Sequence, residues 1–343
     1  MFQIYGGPAS PYSLKMRAVF RYRRIPHTWQ VPQGGFSGTG SIGDQASDSP
    51  LKAAGKNVVP VIHYPDGSWK ADSTPIMYEL ESLYPERSLV HPHPGIAFLA
   101  HLIEDMADEY LPFPMFYFRW TDDAAWCGRR QMVGWNGALD DNELEERAAA
   151  FSARQQAQLG AAASLPREQV LENYERVLAA LENQLKRSFF LFGSRPSFAE
   201  FGLFGQLSQY AVDPFVAGLM KQKAVRVYQW THFLDDLSGI EGEWADAADC
   251  LTEELIGVLE SMAPGYLMMM VMARQNADMN HYTEALNGPG YRVKCLLALK
   301  KELADLTPAE RELIKPLLEA AGLWNALQFE AGEQGLVVDI NPA

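Results

Sequence analysis

A β-forming run broken by Gly-Gly-Pro and followed at once by a capped helix dictates how this chain must begin. Phe2 to Tyr5 supply the strand, Gly6-Gly7-Pro8 end it, and Ser10-Pro11 stand where a helix N-cap and first helical position belong. Proline there loses no hydrogen bond, because the first N–H groups of a helix have no partner inside it. Leu14, Ala18, Val19 and later Ile25 continue at helical spacing. Ile25 to Pro32 then reads as a second strand parallel to the first, so the chain opens on a βαβ unit. Ser10 is either a cap alone or also a hydroxyl at the positive end of a helix, where a thiolate or phosphate is stabilised.

The next segments continue a small α/β domain. Val58 to Tyr64, the turn Pro65-Asp66-Gly67 and Ser68 to Ala71 read as a β-hairpin. Pro60 inside the first of these strands marks either an edge strand or a cis Val59-Pro60 bond, which would expose the Val59 backbone groups to a ligand. Asp72-Ser73-Thr74-Pro75-Ile76 then opens a helix that runs through Tyr78, Leu80 and Leu83 to Tyr84-Pro85, with Ser73 as its cap. Asp72 beside free helix N–H groups suits a ligand carrying both an ammonium and a carboxylate. Gly34 to Ser49 is rich in Gly, Ser and Asp and predicts an exposed, mobile loop. Gly38 to Gly43 within it matches G-x-G-x-x-G, but neither a strand end nor a long apolar helix flanks it, so composition explains the match.

Residues 86–95, with Pro92 and Pro94, read as a linker, and from Ile96 the pattern is helical almost throughout. His101, Glu104, Asp105, Asp108 and Glu109 share one helix. Without a partner E-x-x-H they predict a solvated or interface face rather than a metal site. Residues 121–164 are polar and Ala-rich and read as a helix-loop insertion. Val170 to Leu185 forms an amphipathic helix, and Ser197 with Glu200 forms a capping box ahead of a buried helix through Leu203, Phe204 and Leu207. Beyond Ile240 come Trp244, a Met-rich run from Tyr266 to Met272, and helices near Tyr291–Leu303 and Pro308–Trp324. The Met stripe reads as core.

A formal net charge of −14 argues against a nucleic-acid backbone or an anionic membrane as partner. Three widely spaced cysteines, Cys127, Cys250 and Cys295, form neither a disulfide framework nor a zinc pattern and fit a reducing compartment. There is no charged-then-apolar leader, and the longest apolar run is too short to span a bilayer, so a cytoplasmic protein is expected.

Four of these motifs, in this order, resemble the glutathione S-transferase superfamily. Ala9-Ser10-Pro11-Tyr12-Ser13 is similar to the serine-type active-site turn of its tau-, zeta- and omega-like members, and to the Cys-Pro-Tyr-Cys of glutaredoxins with both cysteines replaced. Val59-Pro60-Val61 resembles the family's Val-Pro with its cis-proline. Asp72-Ser73-Thr74-Pro75-Ile76 is similar to the Glu-Ser-x-x-Ile motif that holds the γ-glutamyl group of glutathione, and Gly193 through Phe201 resembles the capping box of the helical domain's core helix.

The resemblance implies an α/β thioredoxin-like N-terminal domain over 1–85 and a linker over 86–95. An all-α domain over 96–240, with an insertion near 121–164, and a helical extension over 241–343 complete the expected organisation. It implies a homodimer that takes glutathione as co-substrate and a small electrophile as second substrate in detoxification, without a metal. Ser10 would donate a hydrogen bond to the glutathione sulfur, with Ser13 as the alternative and Tyr5 as a third choice. Val59 would pair its backbone with the cysteinyl moiety, Asp72 with Ser73 would hold the γ-glutamyl end, and Tyr12 and Pro60 are further glutathione-binding candidates. Met115, Phe116, Phe118 and Trp120 are candidates for the electrophile pocket. The departures are the shorter Asp72 in place of Glu, the Gly-rich segment in place of a second helix, which leaves Lys52 and Lys56 as candidate glutathione contacts, and the long tail. Glutathione-dependent isomerisation or dehalogenation, and a non-catalytic binding or scaffold role, are the other functions this resemblance leaves open.

Overall fold

The computed structural model describes residues 1–30, 50–55, 58–136, 139–276 and 289–328. In chain order the first elements are β1 (Phe2–Tyr5), α1 (Pro11–Tyr22), β2 (His27–Gln30), α2 (Pro50–Ala53), β3 (Val61–His63), β4 (Trp69–Ala71) and α3 (Ser73–Leu83). Helices follow: α4 (Pro94–Tyr110), α5 (Pro112–Thr121), α6 (Ala124–Asn136), α7 (Asp141–Leu159) and α8 (Arg167–Arg187). The rest are α9 (Phe198–Tyr210), α10 (Pro214–Lys223), α11 (Val225–Leu234), α12 (Glu253–Asn276), α13 (Pro289–Asp305) and α14 (Pro308–Ala320). A small mixed α/β start followed by helices is the expected class. The chain forms two compact units, each assembled from three separated stretches. One comprises Met1–Ser88, Phe113–Val170 and Phe204–Ile240, the other Leu89–Pro112, Leu171–Leu203 and the chain from Glu241.

In the first unit the sheet order is β2-β1-β3-β4. β1 pairs in parallel with β2, Phe2 opposite His27, and α1 provides the crossover such a pairing requires. β3 is antiparallel to β1, Ile4 opposite Ile62, and β4 closes the hairpin with Val61 opposite Ala71. Phe2 and Ile4 are buried, and the Phe2 ring meets Phe20 and Tyr64 edge-on at 5.2 and 4.9 Å. The second strand begins at His27 rather than Ile25 and is described as far as Gln30. The Gly34–Ser49 stretch, the Gly38–Gly43 match within it and Lys56 lie outside the described residues, while Lys52 is exposed on α2.

Arginines from α1 hold this unit together. The Arg23 guanidinium reaches the Glu81 carboxylate and the Tyr84 carbonyl, tying α1 to the end of α3. Arg17 and Arg21 grip Asp235 at 2.5 and 2.7 Å, and Arg24 donates to the Ser238 carbonyl at 2.8 Å. Positive groups thus collect at the C-terminal end of α11, where the helix dipole favours them. The 121–164 segment is the packed pair α6 and α7. Asp140 caps α7 by accepting from Asn142 N and Glu143 N, and Gly128 lets α6 approach the Ala148 carbonyl of α7 closely.

In the second unit α4 packs against α12, α13 and α14. Of the two readings of the acidic face of α4, solvated or interface, the interface one holds: Glu104, Asp105, Asp108 and Glu109 are all buried. The reason is the tail, whose helices bring partners to that face. Tyr266 donates to Asp105 at 2.6 Å, and Arg292 pairs with Glu109 at 3.0 Å. His101 meets Glu302 at 2.6 Å. Burial disfavours the imidazolium there, but the Glu302 carboxylate outweighs it and the net shift is upward. Among the described residues no three His, Cys, Asp or Glu side chains stand together as metal ligands.

Burial, reinforced by Asp105 and opposed by Arg292, pushes the Glu109 carboxyl up to about 8. The native state therefore keeps a proton that the unfolded chain releases near 4.3. Native protein binds more protons between those values, so this group's contribution is complete below about pH 4.3 and is lost as pH rises towards 8. Glu109→Gln should flatten that decline in a series of urea-unfolding midpoints from pH 5 to 8, and raise the midpoint at pH 8.

Two more sequence readings meet particular outcomes here. α12 is long and apolar enough on length and composition to cross a membrane, unlike the short run Tyr266–Met272, and over half of that stretch is buried within the protein. Met262 and Met270 sit in the core, whereas Met268 and Met272 are exposed. All three cysteines are free thiols. Cys127 and Cys250 are buried, and burial pushes Cys250 up to about 11.

Candidate functional site

The turn between β1 and α1 is built around Ser10. Its backbone is extended (φ −105°, ψ 119°), its N–H donates to the Gly7 carbonyl at 3.0 Å, and its Oγ accepts from Ser13 N at 3.3 Å. Ser10 is thus the helix cap, and its own hydroxyl hydrogen remains a donor for something beyond the helix. Ser13 is fully buried and its Oγ has no hydrogen-bond partner among the described residues. It lies directly beneath Gly6, where a Cβ would come within 2.6 Å of that Oγ and 3.0 Å of the Trp29 ring. Tyr12, on the first turn of α1, is half-buried. Tyr5 donates to Gln3 at 3.0 Å and packs on Trp69, so its hydroxyl is engaged within the sheet.

Val59-Pro60 is a cis peptide at the entry to β3, with Val59 half-buried and Pro60 buried. The edge-proline alternative therefore gives way to the cis bond. β4 leads into α3 through Asp72, and here the capping expectation needs correction. Ser73 is the first helical residue, and Asp72 occupies the cap position without a side-chain capping bond. Asp72 holds φ at +88°, a region unusual for any residue but glycine, and such backbone strain concentrates at ligand-binding positions. Its shape follows from the geometry: the chain must turn from the β4 edge into α3 within one residue.

One contact joins the two helix starts. Lys15, fully buried on α1, places Nζ 3.4 Å from Ser73 Oγ. Lys15 is five residues after Ser10, roughly 7.5 Å along the helix axis, and helical side chains lean back toward the N-terminus. The Lys15–Ser73 contact thus ties α1 to the start of α3. Two helix N-termini, each with a serine, frame a strip suited to an elongated, anionic ligand.

Residues that local reading missed complete the turn. Arg130 Nη2 and Gln209 Nε2 both donate to the Pro8 carbonyl, at 3.1 and 3.2 Å. Gln209 Oε1 in turn accepts from Arg130 and Arg119, both at 3.1 Å, and Arg119 donates to Asp213 at 2.6 Å. These residues are more than a hundred positions from Ser10 and belong to no motif, so no local signal announces them. Conversely, the expected second-pocket residues Met115, Phe118 and Trp120 are buried core, and only Phe116 of that group is half-buried.

Comparison with known proteins supplies the family. The N-terminal domain model of glutathione S-transferases matches residues 9–83, and the C-terminal domain model matches residues 153–253. Among solved structures, a glutathione S-transferase from Rhodospirillum rubrum is similar at 17% identity, over 76% of this chain and 92% of that one, with a TM-score of 0.41. The beta-etherase LigF from Sphingobium sp. is similar at 18% identity, over 67% and 93%, with a TM-score of 0.47. A glutathione S-transferase from Methylobacterium radiotolerans, complexed with glutathione sulfonate, is similar at 16% identity, over 71% and 96%, with a TM-score of 0.43. A comparison with curated protein sequences gives no match. With both domain models matched in order, and the serine turn, cis-proline and Asp72-Ser73 helix start in register, this chain is a member of the glutathione S-transferase superfamily.

Proposed function

We propose that this protein is a glutathione transferase that binds glutathione in its first 85 residues and directs the thiolate at an electrophilic small molecule. The observation that carries this reading is the Lys15–Ser73 tie, which joins α1, whose start Ser10 caps, to the start of α3. Ser10 donates a hydrogen bond to the glutathione sulfur at the positive end of α1. Both effects lower a thiol pKa from its ordinary value of about 8.5. The Val59 backbone, with Pro60 and Tyr12 beside it, takes the cysteinyl part. Asp72 and Ser73 take the ammonium and carboxylate of the γ-glutamyl end. What favours Ser10 over Ser13 is position: Ser13 is fully buried beneath Gly6, whereas Ser10, though largely buried, caps α1 and keeps its hydroxyl hydrogen to donate.

Titration of glutathione into the wild type, Ser10→Ala and Ser73→Ala by calorimetry, with ultraviolet thiolate absorbance followed against pH, tests the reading. Ser10→Ala should keep glutathione binding within about threefold, raise the bound thiol pKa by about one unit or more, and lower kcat/KM about 10- to 100-fold, as loss of a charge-assisted hydrogen bond does. Ser73→Ala should weaken binding about tenfold or more and leave the thiol pKa nearly unchanged. A wild type that binds no glutathione would overturn the transferase reading in favour of a scaffold role.

A further inference from the structure

The 121–164 segment does more than add bulk beside the α/β core. α6 carries Arg130, and its guanidinium reaches the carbonyl of Pro8, two residues ahead of Ser10. Gln209 grips the same oxygen, and Arg130 Nη1 also donates to Gln209 Oε1, so the three groups form a closed triangle on the back of the turn. Gly134, one turn further along α6, places that helix beside the Pro8 ring, with ordinary van der Waals room for a side chain.

The charge around Arg130 is unevenly balanced. Arg119 and Arg130 share Asp213, but Arg119 takes one carboxylate oxygen at 2.6 Å while Arg130 stands 3.5 Å from the other. That second oxygen, Asp213 Oδ1, accepts no N–H or O–H hydrogen bond among the described residues, and the Cys127 thiol lies beside the same carboxylate. Cys127, also in this cluster, is held neutral by burial. Asp123, at the start of α6, spends its carboxylate on the Phe215 N–H at 2.8 Å. The Trp126 ring lies 5.8 Å from the Arg130 guanidinium. Burial and the neighbouring Arg119 press Arg130 below its ordinary value, against Asp213, yet a guanidinium stays charged across any working pH.

We propose that Arg130 is a positioning residue of the thiolate site: with Gln209 it clamps the Pro8 carbonyl, which holds Ser10 in its capping pose, and its charge helps lower the pKa of the thiol bound there. The inference rests on the glutathione-transferase reading and assigns a role to the helical insertion that the fold alone does not. A charge about 8 Å away at an effective dielectric of about 20–40 moves a pKa by about one unit.

The test uses the full-length protein with glutathione itself as the probe, reading calorimetric affinity and the pH dependence of thiolate absorbance for Arg130→Met and Arg130→Lys. Arg130→Met should raise the bound thiol pKa by about one unit with affinity for the protonated thiol within about threefold, and Arg130→Lys should recover most of the lowered pKa. If Arg130→Met does not fold, Arg130→Gln removes the charge and keeps a donor, and the same rise is expected. A folded, glutathione-binding Met or Gln variant with an unchanged thiol pKa overturns the role of Arg130 and leaves the transferase reading standing. A wild type that fails to bind glutathione overturns both.

Discussion

Glu200→Ala is expected to destabilise the second unit by about 3–5 kcal/mol, enough to leave little folded protein in a domain of ordinary stability. Glu200 is completely buried at the start of α9, and its two oxygens serve three donors. Oε2 accepts from Ser197 N at 2.8 Å and Ser197 Oγ at 2.6 Å, and Oε1 accepts from Leu191 N at 2.6 Å. Ser197 Oγ in turn accepts from Ala199 N at 3.2 Å, so the box satisfies N–H groups at the helix start and also fastens the Leu191 backbone ahead of it. Burial pushes the carboxyl pKa up, against the pull of these hydrogen bonds. Alanine would remove the acceptor and leave two buried backbone N–H groups and a hydroxyl without one. Glu200→Gln keeps one carbonyl oxygen for the donors and should cost less than half as much. Urea unfolding of the two variants followed by far-ultraviolet circular dichroism checks the order; equal losses would show that shape rather than hydrogen bonding governs the site.

Gly265→Ala should be nearly as damaging, about 2–3 kcal/mol, although alanine is the better helix former. Gly265 lies inside α12, where it faces the ring of Tyr110 at the end of α4. A Cβ at that position would overlap the ring carbons, and Tyr110 is itself buried, so the ring has no open space to move into. The methyl group must therefore separate α4 from α12, and with them Asp105 from the Tyr266 hydroxyl that it accepts from. Tyr110→Leu should suppress the effect of Gly265→Ala, because a shorter side chain gives the methyl room. A double-mutant cycle on thermal midpoints would read this as a coupling well beyond simple additivity. Additive losses would mean that the glycine matters through something other than the ring.

Much of the site was legible because it depends on local chemistry. Ser10-Pro11 caps and starts a helix wherever Gly-Gly-Pro ends a strand, and Val-Pro before a hairpin narrows the backbone choices to two. The fold decided between those two in favour of cis. The Asp72-Ser73 helix start was legible as well, but not its detail. From sequence, serine is the better cap, and only the exit geometry of β4 shifts Asp72 into the cap at positive φ and makes Ser73 the first helical residue. Whether the acidic face of α4 meets solvent or an interface was left open for a related reason. Glu104, Asp105, Asp108 and Glu109 follow a helix surface pattern, and what covers them lies about 150 residues later, with partners such as Tyr266 and Arg292.

Local sequence is enough for the α/β start and helical remainder, the serine turn and the capping box at Glu200. Each of these is set by residues within one or two turns of one another, where backbone preferences and short-range hydrogen bonds act. Only the tertiary structure decided that Lys15 ties Ser73 to the Ser10 helix, that Ser13 is sealed beneath Gly6, and that Arg130 and Gln209 clamp Pro8. Apart from Gly6 over Ser13, those contacts join residues from distant parts of the chain, and their geometry exists only once the helices pack.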